Sequence, residues 1–335
     1  MITVRRSIRA LAVALLLASV TVSLSTCGGI GGSEFAGGGT GGTGISTGAV
    51  SGYGSVVVND VHYNTNAKTK KFSNGKDNSA AIDQDLFRVG MVVTIRYTPG
   101  DNNAVEIDYA PNLVGPIAAK ESVPDLAIRV MGHTVVLDNA GLFTLLAQGN
   151  VVEVSGFADN SGRIRATFVE TMHPAPLPGE TFEIKGFISN PRPSDGTFEI
   201  GPLPDGSGST VTVSYTPGAV RDLPAEPTHG MYVQVVTRDT QPGSGGIRAD
   251  TVAPFAPRTV FPEGATVDLE GLVTAPWSGQ GNDLSFAVEG KRVRWEAGTE
   301  FGGGTRDKLR QTNLKVQVHG TENGGVLSAA RIVFR

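Results

Sequence analysis

One cysteine, two tryptophans and five histidines are scattered through 335 residues, and each shortage closes a line of explanation. A lone cysteine, Cys27, cannot form an intramolecular disulfide and cannot build a thiolate metal site. The histidines (His62, His133, His173, His229 and His319) lie 40 residues or more apart. Zinc ligands cluster at spacings of roughly two to five residues, so neither a metal nor a cofactor is expected. Long apolar runs are missing as well. The one stretch of this kind, Ala10 to Val22, falls short of the roughly 20 residues that span a membrane. No amphipathic helix of any length is legible, although Ile82 to Val89 has room for one or two turns. Without a helix there is no strand-to-helix elbow for a serine nucleophile, and no serine sits in GxSxG on such a turn. The close carboxylates Asp83 with Asp85, and Glu296 with Glu300, read as solvated loop acids. The DNSG run Asp159 to Gly162 lacks the alternating ligands and terminal Glu of a calcium loop and reads as a hairpin turn. No catalytic residue is assigned, and the chain is expected not to be an enzyme.

The N-terminus is richer. Arg5, Arg6 and Arg9 precede the apolar run, and Leu24-Ser25-Thr26-Cys27 follows it, an arrangement that describes an export signal over residues 1–26. A leader ending in cysteine resembles the bacterial lipobox, with Thr26 where Gly, Ala or Ser is usual. That resemblance implies lipidation of Cys27; the alternative is an ordinary cleaved signal with an incidental thiol. Cleavage removes three arginines and leaves 25 basic against 32 acidic side chains, a net charge of −7 in place of −4. Such a surface argues against nucleic acid and anionic membranes as partners of the body. Residues 28–47 carry ten glycines in twenty positions, too little apolar surface to fold. Residues 27–47 are therefore expected to be a disordered tether with an r.m.s. span of about 25 Å. A formal GxGxxG from Gly39 to Gly44 lies inside it with neither strand before nor helix after, and carries no dinucleotide reading.

The body repeats. Alternating strands led by Gly or Asn recur as GMVVTIRY from Gly90, GNVVEVSG from Gly149, GMYVQVVT from Gly230 and NLKVQVHG from Asn313. Each is followed by a turn rich in Asp, Asn or Gly and by a closing strand, a period-2 pattern of half-buried β-structure. Earlier in each unit, VMGHTVVLD from Val130 matches VEGKRVRWE from Val288, and VNDVHYN from Val58 places Asn59-Asp60 at the two-residue turn. Prolines separate the units, which fall at 48–111, 112–173, 181–256 (degenerate, with an insertion near Pro202 to Ser209) and 263–335. Only Pro111 and Asn112 lie between the first two, which are expected to pack as a pair. The predicted class is all-β: about four tandem, small, OB-like barrels of five to six strands, closed because open edges invite aggregation. A small sandwich is the alternative.

The leader, the tether, the run from Thr47 to Asn59 and the GMVVTI strand together resemble a repeated domain of unknown function (5666) found in tandem in lipoproteins of Gram-negative bacteria. The resemblance covers most of 45–173 well, the fourth unit moderately and the third weakly. It implies architecture and an envelope location, and no activity. Gly28 after the cysteine points to outer-membrane sorting. Partners expected on this reading are the membrane, through an N-terminal lipid, and an envelope glycan or protein. Tyr63, Trp277 and Trp295, with Tyr53, are the aromatics available to stack on a sugar. The basic runs Lys68, Lys70, Lys71 and Lys291, Arg292, Arg294 read as coats of exposed strands.

Overall fold

The computed structural model describes residues 44–52, 55–224, 226–243, 246–279 and 284–335. The expected leader, Cys27, Tyr53 and most of the tether lie outside them.

The second unit shows the plan most plainly. Strand Leu113–Glu121 pairs antiparallel with Ala127–Val130, and that with His133–Val136. Met131 (φ 50°) and Gly132 (φ 85°) form the connecting turn, whose positive φ at both positions matches the right-handed strand twist. The third strand then runs parallel to the last, Ile164–His173. The last pairs with Val151–Ala158, and this fourth strand returns to the first. The ring order 1-2-3-5-4-1 leaves no open edge, the closure expected of an OB-like barrel. Between third and fourth strands sits a short helix, Ala140–Leu145, whose N-terminus is capped by Asn139 Oδ1 accepting from the Leu142 N–H. Six residues offer too little periodicity for such a helix to be legible.

The fourth unit closes in the same order with strands Thr266–Ala275, Ser285–Val288, Lys291–Arg294, Lys315–Asn323 and Val326–Phe334. A 3-10 turn, Arg306–Arg310, takes the place of the helix. In the first unit the third-to-fifth closure shrinks to one parallel bridge between Asn64 and Asn103, and an extra strand, Lys70–Ser73, extends the sheet beyond Asn103–Tyr109. In the third unit the turn between second and third strands is replaced by the 202–210 loop, and the last strand is broken into Ile247–Arg248 and Thr251–Pro254. The degeneracy read in this unit is thus an inserted loop and a split strand on an otherwise conserved ring.

Two expectations need correction. The tether reaches less far than residue 47. Strand Gly44–Gly52 begins three residues before it, and Gly44 to Thr47 are buried because they pair in parallel with Thr266 to Leu269 of the fourth barrel. The pairing of units also differs. Sheet hydrogen bonds join barrel one to barrel four, and barrel two to barrel three through Leu113 with Ile184 and Val114 with Glu183. Barrels one and two meet through side chains. Their connector is short, but the first strands are the long ones with spare edge to share.

Glycines also let turn and strand meet within a barrel. A Cβ at Gly115 would lie 2.5 Å from the Met131 side chain, and one at Gly271 would lie 2.4 Å from Cγ of Glu289. In both barrels the first residue of the two-residue turn folds across the first strand at its glycine. Apolar burial follows the same grouping: one core runs through barrels two and three, and a core in barrel four takes in Ile45 of barrel one.

Candidate functional site

The barrels meet at a junction whose apolar floor is Val92, Phe157 and Leu272, contributed by barrels one, two and four. Glu289 sits above it. It occupies the first position of its turn at φ 52°, which aims the carboxylate inward, where it accepts from Ala158 N–H (2.9 Å) and Leu272 N–H (3.2 Å). Burial pushes this carboxyl up to about 7, against the pull of those two N–H groups and of Arg258. Arg258, from the connector between barrels three and four, donates to the Gly156 carbonyl at 3.0 Å. Glu270 accepts from Ala49 N–H at 2.8 Å and pairs with Lys315 at 2.7 Å. Asn59 donates to the Thr47 carbonyl within barrel one and, across the one–four seam, to the Asp268 carbonyl.

A second polar cluster joins barrels one, two and three. Asn74 donates to Glu183 at 2.7 Å, and Glu183 pairs with Lys185, whose side chain is 1% exposed. Tyr109 donates to Glu153 at 2.7 Å, Val92 N–H to Ser155 Oγ at 3.0 Å, and the Arg88 guanidinium to both oxygens of Glu170. Burial raises the carboxyls of Glu153 and Asp108 above the ordinary range. Asn160 and Asn313 exchange two hydrogen bonds between barrels two and four. At the centre, Thr47, Asn112, Lys185, Tyr232, Arg258 and Glu289 line a void of about 30 Å³. That is room for about one water molecule. The ionisable groups here are therefore engaged by backbone or side-chain partners, several of them across a barrel boundary. The sequence reading missed these residues because each is a lone polar side chain whose partner lies far along the chain.

The aromatics expected to stack on ligands are placed otherwise. Tyr63 is fully buried, 5.0 Å from the ring of Tyr97. Trp277 and Trp295 are 9% and 3% exposed and pack edge to face at 5.2 Å. All three are core residues, because each barrel is small and needs large rings to fill it. Of the basic runs, Lys71 is buried against Asp83 and Lys291 against Glu322, whereas Lys68, Lys70, Arg292 and Arg294 are exposed as read. Cys27 lies outside the described residues.

The histidines stay dispersed, and among the described residues no three His, Cys, Asp or Glu side chains converge on a metal-sized site. His133 is buried with neither ring nitrogen hydrogen-bonded, and burial lowers it to about 4. His319 pairs with Asp268 at 2.9 Å, and that bond raises it. Ser55 Oγ lies 3.0 Å from Nδ1 of His62, but no carboxylate among the described residues orients this imidazole. Asp159 accepts from the backbone of Ser161 and Arg163, which makes its DNSG run the hairpin turn expected. A wider pocket of about 300 Å³ lies on barrel one, where Asn64, Thr65, Asp83 and Gln84 meet Ile82 and Phe87.

A family model described as a domain of unknown function (DUF5666) matches three times, over residues 45–108, 114–170 and 270–333. These are barrels one, two and four. No curated protein matches the chain. Among solved structures, a chain titled drosophila Unr CSD456 is 14% identical, aligns over 62% of this chain and 89% of its own, and superposes with a TM-score of 0.19.

Proposed function

We propose a structural role for this chain, which belongs to the DUF5666 family: a four-barrel module held at the bacterial cell envelope by lipid on Cys27. The observation that carries this reading is the junction. Ionisable groups that would otherwise serve catalysis or binding (Glu289, Arg258, Glu183, Glu153) make hydrogen bonds from one barrel to another around a space fit for about one water. Nothing in that arrangement pairs a nucleophile with an oriented base, so the module is read as non-catalytic. Support for the envelope address comes from the leader and the Gly-rich segment after Cys27. Labelled palmitate should enter the full chain in cells and should not enter Cys27→Ser. Absence of label in the wild type would remove the anchor from the account.

A second reading, glycan binding, is favoured by the pocket on barrel one, whose amide, hydroxyl and carboxylate side chains beside Ile82 suit a polyol. Retention of the chain on peptidoglycan sacculi, lost in Asp83→Ala together with Gln84→Ala, would support it; no retention of the wild type would dismiss it.

A further inference from the structure

Residues 291–310, KRVRWEAGTEFGGGTRDKLR, hold six basic side chains against three acidic ones in a chain whose overall balance is acidic. The fold gathers three of the six on the exposed 3-10 turn Arg306–Arg310 of barrel four. Leu309, fully buried, pins that turn down, and its carbonyl accepts from Trp277 N–H at 2.9 Å. Beneath the turn runs a ladder of rings: Trp277, Trp295, Phe301 and Phe334, with successive centroids 5.2, 5.9 and 6.3 Å apart. The cations stand along it. Arg310 lies 4.8 Å from the ring centre of Trp277, Arg306 lies 5.6 Å from that of Trp295, and Lys308 lies 5.3 Å from that of Phe334. Gly279, at φ 70°, lets the backbone close behind Arg310, since a Cβ there would sit 2.6 Å from the guanidinium carbon. These side chains are ordered before any partner arrives, which lowers the cost of binding.

The available counter-charge is small. Asp307 is 3.6 Å from Arg310, with both side chains more than half exposed, and Arg306 and Lys308 have no carboxylate partner among the described residues. Acids elsewhere on the body are screened within a Debye length of about 8 Å, so the net charge does not govern this face. Trp277, Trp295 and Phe334 are buried and Phe301 is partly buried, so the rings offer little open face to a base or a sugar, and apart from Asp307 the exposed groups of the turn are its cationic side chains. Guanidinium edges and an ammonium match phosphate oxygens. Because the cations are spread along a ladder, they suit several phosphates fixed on a surface better than one free ion.

We propose that the Arg306–Arg310 turn is a docking face for the phosphate headgroups of an anionic membrane surface. The proposal does not depend on lipid at Cys27, and its test keeps the two apart by using the full chain with Cys27→Ser throughout. Co-sedimentation should show this protein bound more tightly to vesicles of phosphatidylglycerol and phosphatidylcholine than to phosphatidylcholine alone, with the difference abolished by raising salt. Replacing Arg306, Lys308 and Arg310 together by Gln should reduce the anionic preference on the order of a hundredfold, since each cation near such a surface is worth about fivefold. The salt dependence needs no variant, and Arg306→Lys with Arg310→Lys should retain the preference if the triple variant fails to fold. Equal binding to both vesicles overturns the proposal, as does a folded triple variant that binds like its parent. Full displacement by inorganic phosphate, but not by chloride at equal ionic strength, would assign a free anion instead and overturn it. So would single-stranded RNA binding that the triple variant loses while its vesicle binding stays unchanged.

Discussion

Replacing Glu289 by Gln should stabilise the protein at pH 8 and leave it nearly unchanged at pH 5. In the folded chain this carboxyl titrates near 7 because burial disfavours its charge; in the unfolded chain it returns to 4.5. A folded pKa raised above the unfolded one means that the native state holds the extra proton. The associated stability is therefore full below about pH 4.5 and is lost as pH rises through about 7. A shift of that size corresponds to about 3 kcal/mol between the two ends of the window. Glutamine resembles the protonated acid: it carries no charge, its oxygen can still accept from Ala158 or Leu272 N–H, and one bond is given up in either form. Urea unfolding of wild type and Glu289→Gln, followed by far-UV circular dichroism at pH 5, 6, 7 and 8, measures the difference directly. Subtracting one curve from the other removes His319, Asp108 and Glu153, which also titrate. The difference should grow by about 3 kcal/mol in favour of the variant between pH 5 and pH 8. A difference that stays constant with pH would refute the reasoning, because it would mean that the carboxylate is not enclosed by the junction.

Phe157→Ala, which removes the ring from the floor shared with Val92 and Leu272, should cost about 3–5 kcal/mol in chemical denaturation; a loss below about 1 kcal/mol would mean the junction is loosely packed. Gly271→Ala puts a Cβ 2.4 Å from Cγ of Glu289 and 2.9 Å from Cγ1 of Val288, and should lower stability by about 1–3 kcal/mol in the same assay. His319 is raised by its bond to Asp268, so its contribution is present below the ordinary histidine value of about 6.5 and fades as pH rises through the higher folded value. His319→Gln should flatten the stability profile above about pH 6.5, and an unchanged profile would show that the pair does not form in solution.

The parts of the fold legible in the sequence are those written locally. Alternating Val and Ile in GMVVTIRY and GNVVEVSG mark strands because one face is buried, and Asn59-Asp60 marks a turn because Asn and Asp tolerate positive φ. Arrangement among barrels is written in single polar residues with distant partners: Asn74 with Glu183, Ala158 with Glu289, Ala49 with Glu270. No spacing rule joins them, so the one–four and two–three pairing was not readable. Tryptophans near loops were misread for a related reason. Alternation fades there, and only the packing of Arg306–Arg310 over Trp277 and Trp295 reveals that the rings point inward.

The central claim is that four barrels form one mechanical unit through their junction. Both tryptophans of the chain lie in barrel four, so fluorescence reports that barrel while far-UV circular dichroism reports all four. Urea unfolding of the full chain followed by both signals is the most direct test. A shared junction predicts coincident transitions with one midpoint, shifting together in Phe157→Ala. A fluorescence transition separated from the dichroism transition, with Phe157→Ala leaving the fluorescence midpoint unmoved, would contradict it.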